Sequence, residues 1–419
     1  MLGSAKPFGD GAHTPDDKLD ERQWNAVAAT LEHGVSVLTG GPGTGKSHTV
    51  AAVVRLAEAA GKTVALAAPT GRAAKRLEEL VGSSASTLHR LLGAQAGGRA
   101  RPGLGPEFSR GPDWPLDADL VVVDETSMLD VELAAGLLEA CSEGTHLLIV
   151  GDPAQLPSIG PGRVLADIVE SGAVPVTELT TLYRQAEGGA IARLATAVRG
   201  GDLPSIDAPD REVVVVPTAG SSEAAHRVVQ LVTDSIPRAL GIAPAEVQVV
   251  TPVHRGPAGT AALNKALKAA LNPGAGVVRG FDVGDRVVAT ANHLDAEPFG
   301  YANGEVGVVT EAGAGMVTVA FASGPAKVLG KALGDLLHGW AITVHRAQGS
   351  EWPAVVTVLP PEAGRMLSRP LIYTAFTRAQ RHLSIVHAAG PAVAHAVRRV
   401  GAAPRRTRLA ELLTDAAPE

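Results

Sequence analysis

The chain has 419 residues, a formal net charge of −6, 48 glycines and 29 prolines, and aromatic residues make up only 3% of it. A single cysteine, Cys141, excludes an internal disulfide framework and a cysteine-built zinc cluster, while the acidic balance argues only weakly against a nucleic acid partner, since a groove needs just a local concentration of Lys and Arg. No apolar run reaches the length of a membrane helix, and the first residues lack the apolar core of a leader, so a soluble, cytoplasmic chain without membrane contact is expected.

In chain order, residues 1–17 read as an irregular N-terminal segment. The first strong signal is "VSVLTGGPGTGKSHTV", residues 35–50. A short β-branched run leads into a turn with Gly40, Gly41, Gly43 and Gly45, interleaved with Pro42 and Thr44. Glycines at those places let successive backbone N–H groups curl around an anion. Lys46 then reaches the outer phosphates and Ser47 a magnesium ion, with His48 the next residue of the following helix. That helix, "SHTVAAVVRLAEAAG", keeps helical apolar spacing and stops at Gly61.

Strand-like runs then alternate with helical stretches: "TVALAAPT", "ADLVVVDE", "THLLIVGD" and "AVPVTEL". Such alternation argues for an α/β fold with a parallel sheet wound by helices, with ligands at the carboxyl ends of the strands. Residues 94–118, rich in Gly, Pro and Arg, break the pattern and read as a loop or a short hairpin. A second alternating set, "REVVVVP", "EVQVVTPV", "WPAVVTVL" and "RHLSIVHA", predicts a second α/β lobe. It is interrupted at residues 276–331 by short β-rich runs between Gly and Asn turns, the spacing of a small inserted β-barrel. The tail carries five arginines within residues 398–408, open to two readings: a solvated helix face or a contact to DNA phosphates.

"VVVDETSMLD" places Asp124 and Glu125 directly after a buried strand. Alone, such a pair is more often a helix cap; with a phosphate loop on a neighbouring strand, Asp124 can hold magnesium and Glu125 can deprotonate the attacking water. "LLIVGDPAQLPSIGPG" ends a third strand, where Gln155 can report the γ-phosphate or close a turn with Asp152 and Pro153. Arg184 in "LTTLYRQ" and Arg378 in "IYTAFTRAQRHL" are candidates for the charge on the transferred phosphoryl group, a role worth about 10³–10⁵ in rate.

The ordered set "LTGGPGTGKS", "APTGRAAKRL", "STLHRLL", "VVVDETSMLD", "GDPAQLPSIGPG", "LYRQ", "TPVHRGPAG", "ITVHRAQGSEW" and "YTAFTRAQ" resembles the motifs of superfamily 1B helicases, and within them the stand-alone RecD-like DNA helicases. The resemblance spans nearly all of residues 18–410, in a short form without the N-terminal extension that fuller members carry. It implies two tandem RecA-like lobes, residues 18–190 and residues 191–275 with 332–405, an SH3-like barrel at 276–331, a duplex-splitting hairpin at 94–118 and a tail at 406–419. It further implies that Gln23 contacts adenine, that Lys46, Ser47 and Asp124 bind magnesium-ATP, that Glu125 is the general base, that Gln155, Arg184 and Arg378 surround the γ-phosphate, and that Glu351 lies near the ribose. For the nucleic acid it points to Pro69, Thr70, His89, Thr251, Arg255, Thr343 and His345. A motor indifferent to sequence should touch phosphates and sugars, because only base edges carry sequence information. The expected activity is a monomeric ATP-dependent motor moving 5′ to 3′ on single-stranded DNA and unwinding duplex junctions, in repair or recombination. An RNA-directed helicase and a nucleotide-gated binding switch stay open as alternatives.

Overall fold

Six short apolar runs build the first sheet in the computed structural model, which describes residues 19–94, 108–182, 189–204, 211–399 and 405–416. They are β1 (Val35–Gly40), β2 (Val64–Ala68), β3 (Ala85–Thr87), β4 (Leu120–Val123), β5 (His146–Gly151) and β6 (Val176–Leu179). All pair in parallel, in the order β3-β2-β4-β5-β1-β6. Helices α1 (Glu21–Glu32), α2 (Lys46–Ala59), α3 (Gly71–Val81), α4 (Leu88–Leu91), α5 (Val131–Ala140) and α6 (Val164–Ser171) cover both faces.

Continuous apolar strands are needed here because successive side chains point to opposite faces and both faces are dry. Leu38, Val122, Leu148 and Val150 enter one core with Val27, Leu31 and Val53 of α1 and α2. Their neighbours Val37, Val121, Val123, Leu147 and Ile149 enter the other, against Leu88, Leu133, Leu137 and Leu165. Each such side chain, once buried, contributes about 1.5–3 kcal/mol. The helices start and stop on local signals. Asp20 and Gln23 form a reciprocal capping box on α1, Thr70 caps α3, and Gly82, at φ 83°, ends α3 in the left-handed region.

The chain divides into two compact units, Met1–Ala186 with Pro404–Glu419, and Glu187–Ala403. In the second, α7 (Ala190–Gly200), β7 (Val213–Pro217), α8 (Ser221–Gln230), α9 (Ile236–Leu240), β8 (Val247–Thr251) and α10 (Thr260–Leu271) come first. An inserted sheet follows, built from β9 (Arg286–Ala289), β10 (Val306–Gly313), β11 (Met316–Phe321), β12 (Gly324–Leu329) and β13 (Leu336–His338). The chain then resumes the main sheet with β14 (Ala341–Thr343), β15 (Trp352–Leu359), α11 (Arg369–Phe376), β16 (Ala379–His387) and α12 (Ala392–Arg398). The main sheet is parallel, in the order β14-β8-β15-β16-β7.

The inserted sheet is antiparallel, in the order β12-β11-β10-β9-β13, and encloses its own core of Val287, Val309, Val317, Val319, Phe321 and Val328. The expected insertion is thus present as a five-stranded antiparallel sheet, and among the described residues no ladder joins β12 to β13. Polar ties fix it to its unit. Lys268 Nζ of α10 donates to Asp282 Oδ2 at 2.6 Å and to Asp285 Oδ1 at 2.8 Å, and Arg286 Nη1 donates to the Val247 carbonyl at 2.9 Å. Past α12, residues 405–408 and α13 (Leu409–Asp415) pack on α6, back in the first unit.

Candidate nucleotide site and strand-contact loops

The phosphate loop closes on itself through backbone and short side chains. Gly43 and Gly45 take positive φ, 77° and 87°, which other residues reach only under strain. Gly45 precedes α2 with no side-chain cap, so the first N–H groups of that helix are presented as an anion site. A Cβ at Gly40 would stand 2.5 Å from Thr44 Oγ1 and 2.9 Å from the Leu179 carbonyl oxygen, so only glycine fits there. Thr44 Oγ1 donates to the Gly41 carbonyl at 2.8 Å, and Lys46 Nζ donates to the Gly40 and Gly41 carbonyls at 2.7 and 3.0 Å. The lysine therefore lies along the cradle that the glycines form. Ser47 is half-buried and His48 exposed beside it.

Asp124 and Glu125 leave β4 at the same end of the sheet. The strand order corrects the expectation that this pair adjoins the phosphate loop directly: β5 lies between β4 and β1. The consequence is favourable, since the β5 loop that carries Gln155 emerges between the other two. Asp124 Oδ1 accepts the Glu125 N–H at 2.8 Å. Glu125 itself has φ 55°, the left-handed region that a non-glycine residue enters at a cost of about 1–3 kcal/mol. Thr126 supports this turn by donating its hydroxyl to the Val150 carbonyl at 2.8 Å. Gln155 is 6% exposed and sits in a turn in which Asp152 accepts the backbone N–H groups of Ala154 and Gln155. The turn and a sensor role are thus compatible. Gln23 is 2% exposed, and its side-chain oxygen accepts the Asp20 N–H at 3.0 Å, which leaves an adenine contact to its amide nitrogen.

In the second unit Arg378 is 2% exposed and donates to the Thr374 and Ser350 carbonyls and to Thr377 Oγ1, at 3.1, 3.2 and 3.1 Å. Glu351 accepts a bond from Gln380 at 3.4 Å. Arg184 lies outside the described residues. Two candidate strand loops come together here: β8 and β14 are paired so that Thr251 and Thr343 stand opposite each other. Thr251 is fully buried and donates to the Ala258 carbonyl at 3.0 Å; Thr343 is 6% exposed and its hydroxyl accepts the Arg346 N–H. Both hydroxyls shape the loops from inside, and the exposed members are Arg255 and His254. Burial, and then the neighbouring His254, hold the His345 imidazole below its ordinary pKa, so it is a neutral ring near pH 7. In the first unit Pro69 and Thr70 stand where β2 meets α3, with Thr70 Oγ1 accepting the Ala73 N–H at 3.2 Å. His89 is half-buried, and its pKa is lowered by burial against the opposing pull of Asp130.

Residues 18–230 match the AAA domain family, and residues 338–386 match the UvrD-like helicase C-terminal domain. Over 416 residues the chain is 36% identical to the RecBCD enzyme subunit RecD of Mycolicibacterium smegmatis, an alignment covering 88% of this chain and 71% of that relative. The chain belongs to the RecD-like helicase family. The ATP-dependent RecD2 DNA helicase of Deinococcus radiodurans is 40% identical over 389 residues, 90% of this RecD-like chain and 51% of the relative, so the chain spans about half of that protein. Two solved structures share the fold: a Bacteroides Pif1 helicase in complex with ADP-AlF3 and ssDNA (TM-score 0.54, 18% identity, 88% of this chain and 92% of that one), and a Bacteroides Pif1 bound to ssDNA (TM-score 0.53, 20% identity, 89% and 93%).

In the RecD-like first unit the phosphate loop follows β1, the Asp124–Glu125 pair follows β4 and the Gln155 turn follows β5, so the three segments leave the same end of one parallel sheet. The chemistry of the donors is that of a hard divalent ion: a carboxylate, Asp124, and a hydroxyl, Ser47, are oxygen ligands of the kind magnesium takes. Among the described residues there is no group of three or more His, Cys, Asp or Glu side chains that could hold a metal ion. Sequence reasoning passed over His254, although "TPVHR" and "ITVHR" echo each other and end neighbouring strands. It also read the tail arginines as solvated or DNA-facing, which holds for the exposed Arg406 and Arg408 as to solvent but not for Arg405, whose guanidinium is bound to the loop after Gln155. No described helix is long and apolar enough to cross a membrane.

Proposed function

We propose that this RecD-like chain is an ATP-driven, monomeric motor that moves 5′ to 3′ on single-stranded DNA and opens duplex junctions. The observation that carries the reading is the meeting of the phosphate loop, the Asp124–Glu125 turn and Gln155 at the carboxyl ends of β1, β4 and β5. The backbone N–H groups at the start of α2 and Lys46 bind the phosphates. Ser47 and Asp124 would hold magnesium, which would supply positive charge against the phosphate oxygens. Glu125, aimed by its left-handed backbone, takes the proton of the attacking water, and Gln155 orients that water against the γ-phosphate. Arg184 and Arg378 stabilise charge on the transferred group. The Deinococcus radiodurans relative, which is named a DNA helicase, and the Pif1 fold seen with ssDNA support DNA as the track. Loops bearing Pro69, Thr70 and His89, and the twin loops bearing His254, Arg255 and His345, supply sequence-independent contacts.

The deciding experiment is steady-state ATP hydrolysis with and without a single-stranded DNA oligonucleotide, with matched RNA as control. Stimulation by DNA, followed by unwinding of 5′-tailed but not 3′-tailed duplexes, is the expected result. Stimulation by RNA alone would establish an RNA-directed motor, and ATP binding without stimulated turnover a nucleotide-gated switch. Glu125→Gln is expected to bind mant-ATP normally and to lose at least about 10²-fold in kcat; retained hydrolysis would remove Glu125 as the base.

A further inference from the structure

The loop that follows Gln155, residues 156–162, has a side-chain tie of its own, Ser158 Oγ donating to the Gly160 carbonyl at 3.1 Å. Its sequence is LPSIGPG, and its one large side chain beyond Leu156, Ile159, is 83% exposed. One flank is pinned to the start of α5: Val131 donates its N–H to the Pro161 carbonyl at 3.0 Å, and a Cβ at Gly160 or Gly162 would run into Asp130 or Val131. On the other flank the carbonyls of Ser158, Gly160 and Gly162 and the Ser158 hydroxyl converge on one cation. That cation is Arg405: Nη1 donates to Gly160 O at 2.6 Å, Gly162 O at 2.7 Å and Ser158 Oγ at 3.3 Å, and Nη2 donates to Ser158 O. A guanidinium offers several donors in a fixed fork and no acceptor, so it suits a ring of carbonyls where an ammonium would meet only part of it.

The segment bearing Arg405 is itself anchored. Thr407 Oγ1 donates to Asp167 Oδ2 at 2.6 Å, and that carboxylate, fully buried on α6, also takes Arg163 Nη2 at 3.1 Å. Leu409 packs against the core beneath the sheet.

We propose that Arg405 is a positioning residue for ATP turnover, acting through the 156–162 loop to set Gln155 relative to Glu125. The inference rests on the nucleotide chemistry proposed above for Glu125 and Gln155. The loop joins both: it continues from the Gln155 turn and docks on α5, which begins six residues after Glu125. Losing the guanidinium frees one flank, and a misplacement of about 1 Å at a reacting group costs on the order of 10²-fold. Nucleotide affinity, set by the phosphate loop, is untouched.

The test uses the whole chain, with DNA-stimulated ATP hydrolysis and mant-ATP titration of the wild type, Arg405→Ala, Arg405→Lys and Thr407→Val. No hydrolysis by the wild type would defeat the proposed function itself. With an active wild type, Arg405→Ala is expected to lose at least about tenfold in kcat at unchanged mant-ATP affinity, with Arg405→Lys recovering only part and millimolar guanidinium ion restoring Arg405→Ala. Thr407→Val, which loosens the same segment but leaves the guanidinium on the loop, should lower the melting temperature and lose distinctly less kcat than Arg405→Ala. Wild-type kcat in folded Arg405→Ala, or an equal kcat loss in Thr407→Val, would overturn the inference. Should Arg405→Ala fail to fold, Arg405→Lys decides: wild-type kcat overturns it and reduced kcat at intact affinity supports it.

Discussion

Single residues carry the chemistry here through backbone geometry as much as through side chains. Glu125 reaches its place only by adopting φ 55°, and the turn behind it leaves no spare room: a Cβ at Gly151 would lie 2.6 Å from Thr126 Oγ1 and 2.8 Å from Leu165 Cδ2. Gly151→Ala is therefore expected to destabilise the chain by about 1–3 kcal/mol, read as a lower urea midpoint, and to slow hydrolysis by shifting Thr126. A midpoint equal to that of the wild type would show that the turn gives way freely. The glycine turn before α2 and the turn at Asp124–Glu125 after β4 were legible as local structure, because each follows an apolar run and breaks it with residues of its own kind. Thr251 was legible only as a motif letter; that its hydroxyl points inward to the Ala258 carbonyl depends on a loop closing over it, which no local pattern encodes.

Elements, by contrast, are held by pairs far apart in the chain. Asn264 of α10 clasps the backbone of β14, donating to the Ala341 carbonyl and accepting its N–H, both at 2.8 Å and both buried. Removing that side chain leaves two backbone groups unsatisfied, so Asn264→Ala should cost about 1–3 kcal/mol in chemical denaturation. The link between α10 and the inserted sheet depends on acid–base state. Lys268 Nζ, assisted by the Val277 and Gly276 N–H groups, holds the Asp282 carboxyl at about 2, below its ordinary 3.8. A carboxyl whose folded pKa is depressed contributes stability at higher pH and gives it up as pH falls through the unfolded value toward the folded one. Thermal stability should thus decline between about pH 4 and 2, and Asp282→Asn should start lower and show a shallower decline over that window; an unchanged slope would mean that other carboxyls govern it. Alternating apolar runs announced most strands of both parallel sheets, since burial on both faces leaves a continuous apolar run, but the three-residue strands β3 and β14 are too short to leave such a run.

For the whole molecule, two units with separate cores should not melt as one. Calorimetry is expected to resolve more than one transition, a departure from two-state behaviour common in chains of this size. Mant-ATP with magnesium at about 100 times its Kd should stabilise the transition of the first unit by about 2.7 kcal/mol, and Lys46→Ala should abolish that shift. A shift of equal size in Lys46→Ala would place nucleotide binding elsewhere. At this scale the sequence could divide the chain into lobes, but it could not reveal that its last helix belongs with the first unit, since α13 carries no signal of its partner until it lies on α6.

The inserted sheet is bracketed in an unusual way for a domain of its size. The chain leaves the end of α10 at Leu271 and resumes at Ala341 in β14, the strand paired in parallel with β8. Strand, helix and parallel strand already make a complete crossover without the residues between, and Asn264 latches the two ends together. The insertion is therefore a cassette in a parenthesis. Replacement of the insertion by a short linker is expected to leave β14 in register with β8, with the Arg286 bond to the Val247 carbonyl a tie of β8 to be made good.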